Sequence, residues 1–114
     1  MARSRNPRLG SRSLPQVSVA VIAYQQVNYI TEALQSLVDQ DYPNLQIVVS
    51  DDGSTDGTAE EIARFAKLYP DKIVALIDHE RLGITGNSNH ALRACTGKYV
   101  CFLGGDDVFL PGKV

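Results

Sequence analysis

The chain has 114 residues, 44% of them hydrophobic and 21% charged, with a formal net charge of −2. That length supports one hydrophobic core rather than two, and the composition is that of a folded soluble unit. Near-neutrality argues against nucleic acid as a partner, although Arg3, Arg5, Arg8 and Arg12 all precede position 15 and leave about −6 on the remainder.

Residues 1–14 are rich in Arg, Ser, Pro and Gly and are expected to form a flexible basic tail, with the folded part spanning 15–114. The tail lacks the roughly 7–15-residue apolar core of a secretory signal. Nowhere does the sequence approach the roughly 18 consecutive apolar residues that cross a bilayer.

Four apolar runs follow at nearly even spacing: Val17–Ala23, Ile47–Val49, Ile73–Ile77 and Tyr99–Leu103. They are rich in β-branched and aromatic residues and nearly unbroken, which predicts strands covered on both faces, the habit of parallel sheets. Three segments of helical period separate them. Ile30, Ala33, Leu34, Leu37 and Val38 form one apolar stripe, and Ile62, Phe65, Ala66 and Tyr69 form a second. Asp56 or Thr58 is placed to cap the second helix, Thr58 and Glu61 have capping-box spacing, and Pro70 predicts its end. The third stripe, Ile84, Ala91, Leu92 and Cys95, is weaker, and Gly97 is expected to terminate it. Asp41-Tyr42-Pro43-Asn44 and Leu110-Pro111-Gly112 read as turns. Cys95 and Cys101 form neither a C-x-x-C motif nor a disulfide framework. They are expected to be buried apolar filler in a reducing cytoplasm.

Strand–helix–strand repeated three times predicts an α/β fold: a doubly wound, mostly parallel sheet with helices on both faces. The chain stops just after a strand and its loop, which reads like an unfinished domain. The exposed sheet invites pairing with a second copy, so a homodimer is one expected partner.

In such sheets ligands bind beyond the carboxyl ends of the strands. The polar clusters fall there: Ala23-Tyr24-Gln25, Ser50-Asp51-Asp52-Gly53-Ser54, Asp78-His79-Glu80-Arg81 and Gly104-Gly105-Asp106-Asp107. Two carboxylates about 4 Å apart repel by roughly 1 kcal/mol in water and several-fold more near a protein surface. Asp106-Asp107 behind two glycines therefore suggests a hard cation, Mg2+ or Mn2+, at a phosphate site. A solvated acidic turn is the simpler alternative. At the second strand's tip a carboxylate can accept hydrogen bonds from a base N–H or a ribose hydroxyl, while turn and capping chemistry explains Ser54, Thr55, Asp56 and Thr58. The dinucleotide fingerprint, the Walker A motif and the G-x-S-x-G elbow are absent. His79 and His90 lack metal-ligand spacing and are expected to be ordinary surface or helix histidines.

Four ordered pieces resemble the family 2 glycosyltransferases, whose nucleotide-sugar-binding fold is called GT-A. They are Val17 to Tyr24, Glu32 to Gln40 followed by Tyr42, the Asp-Asp-Gly-Ser-Thr-Asp block at Asp51 to Asp56, and Gly83, Asn87 and Asn89 with Gly97-Lys98-Tyr99. The resemblance covers roughly residues 17–113. It implies a Rossmann-like nucleotide-sugar-binding part of a glycosyltransferase domain. Asp51 or Asp52 would contact the base, Ala23 and Tyr24 would form the pocket wall, and Arg81 and Gly83 would line the nucleotide site. The family's Asp-x-Asp metal motif falls on Gly104-Gly105-Asp106, so its first carboxylate is missing. Asp106, with Asp107, would meet the Mg2+ or Mn2+ and the diphosphate.

The function implied is transfer of a sugar from a nucleoside-diphosphate sugar to the hydroxyl of a glycan or lipid-linked acceptor, in the cytoplasm and in peripheral contact with the inner face of the membrane. The general base is expected beyond Val114, so no catalytic residue is assigned and the chain alone is expected not to turn over. A non-catalytic nucleotide-binding or interaction module with the same fold is the alternative. A nucleotidyltransferase is disfavoured, because no Gly-rich loop bearing Lys or Arg follows the first strand.

Overall fold

The computed structural model describes residues 14–77 and 79–105; residues 1–13 of the expected tail, Asp78, and the segment holding Asp106 and Asp107 lie outside the described residues. The elements alternate along the chain: β1 (Val17–Ala23), α1 (Ile30–Val38), β2 (Leu45–Asp51), α2 (Thr58–Leu68), β3 (Ile73–Leu76), α3 (Gly83–Ala94) and β4 (Tyr99–Gly104). The strands form one sheet in the order β3-β2-β1-β4, every pairing parallel.

Alternation along β1 divides its side chains between two cores. Val19, Val21 and Ala23 pack with Ile30, Leu34 and Leu37 of α1 and with Ile62 and Phe65 of α2. Ala20 packs on the opposite face with Val48 and with Ala91 of α3. Helices therefore cover both faces of β1 and β2, as their unbroken apolar runs predict, whereas the run in β4 is exposed from Tyr99 to Phe102. β2 is longer than its apolar run because its polar residues stay in the ladder with bonds of their own. Gln46 Oε1 accepts from Ser18 Oγ at 2.6 Å, and Ser50 bonds to Asn87 of α3.

The first stripe forms as expected, with Ile30, Ala33, Leu34, Leu37 and Val38 all buried. In α2 the capping box does not form. Gly57 precedes the helix with φ +103, and Asp56 Oδ1 accepts from the Thr58 N–H at 3.0 Å and from its hydroxyl at 2.5 Å. Those bonds, the Thr58 hydroxyl's foremost, hold the exposed Asp56 carboxyl below its ordinary range. Glu61 turns instead to Arg64, at 2.9 Å from Nε and 2.6 Å from Nη2, and to the Thr31 hydroxyl of α1. The helix ends at Leu68, before Pro70.

α3 departs from its expected stripe. Asn87 and Ala91 are its buried residues, whereas Ile84 is 82% exposed and Leu92 is also exposed. The sheet face beneath carries Ala20 and Val48, so the helix approaches through a small residue and a hydrogen-bonding one. Gly97 does not end this helix, which stops at Ala94 with Cys95 already extended. Its hydrogen-only side chain is needed later: a Cβ at Gly97 would lie 2.6 Å from the Ser18 nitrogen. Cys95 is half-buried, and desolvation pushes its thiol pKa up. Cys101 is exposed, contrary to expectation, because β4 has a strand partner on one side only among the described residues.

Glu61 links α1 to α2, and Arg64 together with Thr31 lowers its carboxyl from 4.5 to about 2. A folded-state pKa below the unfolded one gives stability that is complete above about pH 4.5 and lost as pH falls towards 2. The group is open to solvent, which screens the pair. Glu61→Gln is expected to cost about 0.5–1 kcal/mol at neutral pH. Urea unfolding at stepped pH checks this: the gap between variant and native chain should close on acidification, and a gap constant down to pH 3 would contradict the assignment.

Candidate functional site

The sheet order reverses at β1: β2 and β3 lie to one side and β4 to the other. Beyond the carboxyl end of β1 opens a cleft of about 250 Å³, at the topological switch point where open α/β sheets bind ligands. Ile22, Ala23, Tyr24 and Gln26 supply one wall, Asp52 the floor, and Arg81, Ile84 and Asn87 the other wall.

Register brings these residues to one height. Ala23 pairs with Asp51, and Ile22 with Gly104. The Asp52 N–H then donates to Ala23 O and the Gly105 N–H to Ile22 O, each at 2.9 Å. A Cβ at Gly105 would fall 2.3 Å from Gln26 Oε1 and 3.2 Å from Ala23 Cβ, so β4 leaves the sheet directly against the cleft.

The two adjacent aspartates have separate tasks. Asp51 is fully buried and does not line the cleft; its carboxylate accepts from the Ser54 N–H at 2.9 Å and from the Ser54 hydroxyl, closing the turn at Gly53. Asp52 lines the cleft and is 3% exposed. Its Oδ1 accepts from the Leu82 N–H at 2.6 Å and its Oδ2 from the Gly83 N–H at 3.0 Å. Those N–H groups are the first orphan donors of α3, so a carboxylate from β2 caps a helix thirty residues on and meets the positive end of its dipole. Gly83, with φ +81, contributes through this N–H and does not itself line the cleft.

Arg81 completes the wall. Its Nε lies 3.6 Å from Asp52 Oδ2, its guanidinium carbon sits 4.0 Å above the Tyr24 ring, and its Nη1 donates to the Tyr24 hydroxyl at 3.1 Å. The cleft thus carries an anionic floor, a cation and an aromatic face. Such a set suits a flat heterocycle with N–H donors and attached oxyanions.

Sequence reasoning missed Gln25 and Gln26. Gln25 is a non-glycine residue with φ +53; its N–H donates to Ser54 Oγ at 2.8 Å and its Oε1 accepts from the Thr55 N–H at 2.6 Å. Gln26 accepts from the Tyr24 N–H at 3.3 Å and donates its own N–H to Thr58 Oγ1 at 2.8 Å. The available signal was two amide side chains following an apolar strand at the expected rim. His79 and His90, expected to be unrelated, are brought together with ring centroids 4.5 Å apart. Among the described residues no group of three or more His, Cys, Asp or Glu converges to hold a metal ion, and the expected ligands Asp106 and Asp107 lie outside them.

Two substitutions test the cap. Gly83→Ala adds a Cβ into open space but forces an L-residue to φ +81, so it should cost about 1–2 kcal/mol of stability from backbone strain alone. Asn87 is buried and bonded twice to Ser50, with Oδ1 accepting from Oγ at 2.5 Å and Nδ2 donating to the carbonyl at 3.0 Å. Asn87→Ala leaves the buried Ser50 hydroxyl unsatisfied and should cost about 1–3 kcal/mol. Chemical denaturation measures both, and a neutral Asn87→Ala would show that α3 is not anchored there.

Comparison with known proteins agrees with this geometry. The family described as Glycosyl transferase family 2 matches residues 18–114. An uncharacterized glycosyltransferase of Haemophilus influenzae is 39% identical over 101 residues, 88% of this chain and 31% of its own length. Among solved structures, the mannosyltransferase PcManGT from Pyrobaculum calidifontis, in complex with GDP-Man and Mn2+, superposes with a TM-score of 0.78 and 36% identity, covering 86% of this chain and 29% of that one. S. aureus TarS 1–349 in complex with UDP-GlcNAc superposes with a TM-score of 0.69 and 34% identity, covering 82% and 27%. The chain spans less than a third of the length of each of these relatives. With the parallel sheet, the rim cleft and the family match in agreement, the chain belongs to glycosyl transferase family 2 and has its GT-A type fold.

Proposed function

We propose that this chain is the donor-binding part of a glycosyltransferase, holding a nucleoside-diphosphate sugar whose sugar passes to the hydroxyl of a glycan or lipid-linked acceptor. The observation that carries the reading is the Tyr24–Arg81–Asp52 constellation at the switch point of the sheet. The nucleoside lies against the Tyr24 ring, with Ala23 behind it. Asp52 keeps lone pairs for a base N–H or ribose hydroxyl, because each of its oxygens accepts one backbone N–H. Asp51, spent on Ser54, serves by fixing the turn beneath.

The diphosphate extends towards the end of β4, where Gly105 abuts Ala23 and Gln26. Asp106 and Asp107 follow directly in sequence and supply hard oxygen donors of the kind that Mg2+ or Mn2+ prefers. A cation bound there would neutralise charge on the leaving diphosphate. The PcManGT structure, which contains GDP-Man and Mn2+, supports a divalent cation accompanying the donor. Gly104 at the first position of the motif removes one carboxylate and supports a second reading, a nucleotide-binding module without turnover.

The acceptor proton needs a different residue. Asp52 is the carboxylate that lines the described cleft, and the Leu82 and Gly83 N–H groups with Arg81 alongside hold it as a fixed hydrogen-bond acceptor for the donor. The 114-residue chain is therefore expected to bind UDP or GDP with a dissociation constant on the order of 0.1–1 mM and to transfer no sugar by itself. Arg81→Ala and Tyr24→Ala should each weaken binding about tenfold by removing the stacked pair. Calorimetric titration of each nucleotide with and without Mn2+ tests this. Metal-enhanced binding supports the enzyme reading, metal-independent binding the module, and affinities unchanged in both variants would rule out this cleft.

A further inference from the structure

A second cleft, of about 280 Å³, lies at the β3 side of the sheet and is lined by Ala75, Leu76, Ile77, His79 and His90. Apart from the two imidazoles its lining side chains are aliphatic. The His79 and His90 rings sit with centroids 4.5 Å apart and planes inclined by 56°. His79 Nε2 is buried and has no hydrogen-bond partner among the described residues, although buried imidazole nitrogens ordinarily have one.

We propose that His79 and His90 together form a site for a divalent late transition metal, Ni2+, Cu2+ or Zn2+, separate from the donor cleft. Neutral imidazole is the side chain these ions favour, and an ion is an occupant that an otherwise aliphatic cleft with two imidazoles can hold. The ring spacing fits. With metal–nitrogen bonds of about 2.0–2.1 Å and about 1.1 Å from nitrogen to ring centre, each centroid lies about 3.1 Å from a shared ion. Two such rings at a cis angle of about 90° have centroids about 4.4 Å apart, whereas a tetrahedral angle spreads them to about 5.1 Å. The observed 4.5 Å places the two rings within reach of one shared ion. Water completes the coordination sphere. The two ligands belong to different elements: His79 lies in the link between β3 and α3, and His90 lies on α3. A bound ion would brace the link that carries Arg81 and the Leu82 and Gly83 N–H groups towards Asp52.

The experiment uses the full 114-residue chain without nucleotide. Calorimetric titration with NiCl2 and with ZnCl2 is expected to show one ion per chain, with affinity falling at least about tenfold in His79→Gln and in His90→Gln. Imidazole nitrogen NMR on the unmodified chain gives a readout independent of any variant: added zinc should shift one nitrogen of each of the two histidines together. Rings that merely pack on each other, or a cleft that holds only water, would leave these resonances unmoved in excess zinc. That result, or full nickel binding retained in folded His79→Gln, would overturn the proposal. Neither measurement depends on nucleotide binding, so its failure leaves the donor-cleft reading intact.

Discussion

The hydrogen bonds from the Leu82 and Gly83 N–H groups to Asp52 hold the site together. Taking a carboxylate out of water is expensive unless donors replace the lost hydration, and a helix N-terminus offers unpaired N–H groups together with a favourable dipole. β2 supplies the charge and α3 the donors, so neither end is satisfied without the other. The position of α3 on the sheet, and of the Arg81 side chain that precedes it, follows from that pairing. Asn87 repeats the connection one turn along the helix through Ser50.

The same economy explains how two adjacent aspartates coexist. Asp51 faces its own turn and accepts hydrogen bonds there from Ser54, while Asp52 reaches across to α3. Each carboxylate has its own donors, and this offsets the repulsion that adjacent charges would suffer. Gly53, at φ +75, gives the turn the backbone conformation that lets the chain leave β2 between them.

The rim is knitted as well as charged. Gln25 adopts a left-handed conformation, unfavourable for a residue with a Cβ, and two hydrogen bonds to Ser54 and Thr55 hold it there. Gln26 continues the seam to Thr58, the first residue of α2. The loops after β1 and β2 therefore form one surface, which places the Tyr24 ring under Arg81 as a preformed platform. On the same helix, Asn87 faces the cleft at the switch point and His90 the second one, so α3 is common to both.

Much of this could be read in the amino-acid sequence, for a definite reason. Unbroken β-branched runs and the stripe from Ile30 to Val38 report burial directly, since burial depends on side-chain polarity at a fixed period. The polar clusters after each strand mark the rim where the cleft opens, and Asp52, Ala23, Tyr24 and Arg81 do line one cleft. Tertiary structure decided what periodicity cannot encode. Whether Asp51 or Asp52 faces the cleft depended on which way the turn at Gly53 leaves the strand. The weak stripe of α3 misled because that helix docks through Asn87 and Ala91, a hydrogen bond and a small contact that carry little hydrophobic signal. Gly97 looked like a helix stop but answers to the nearness of Ser18 in a strand almost eighty residues earlier. His79 and His90, eleven positions apart, meet only because a strand-to-helix turn folds one ring onto the other. Sequence alone determined the burial of β1, β2 and α1 and the rim to which the polar clusters come; the crossing of elements distant in the chain decided how α3 and β4 are covered and which polar atoms meet.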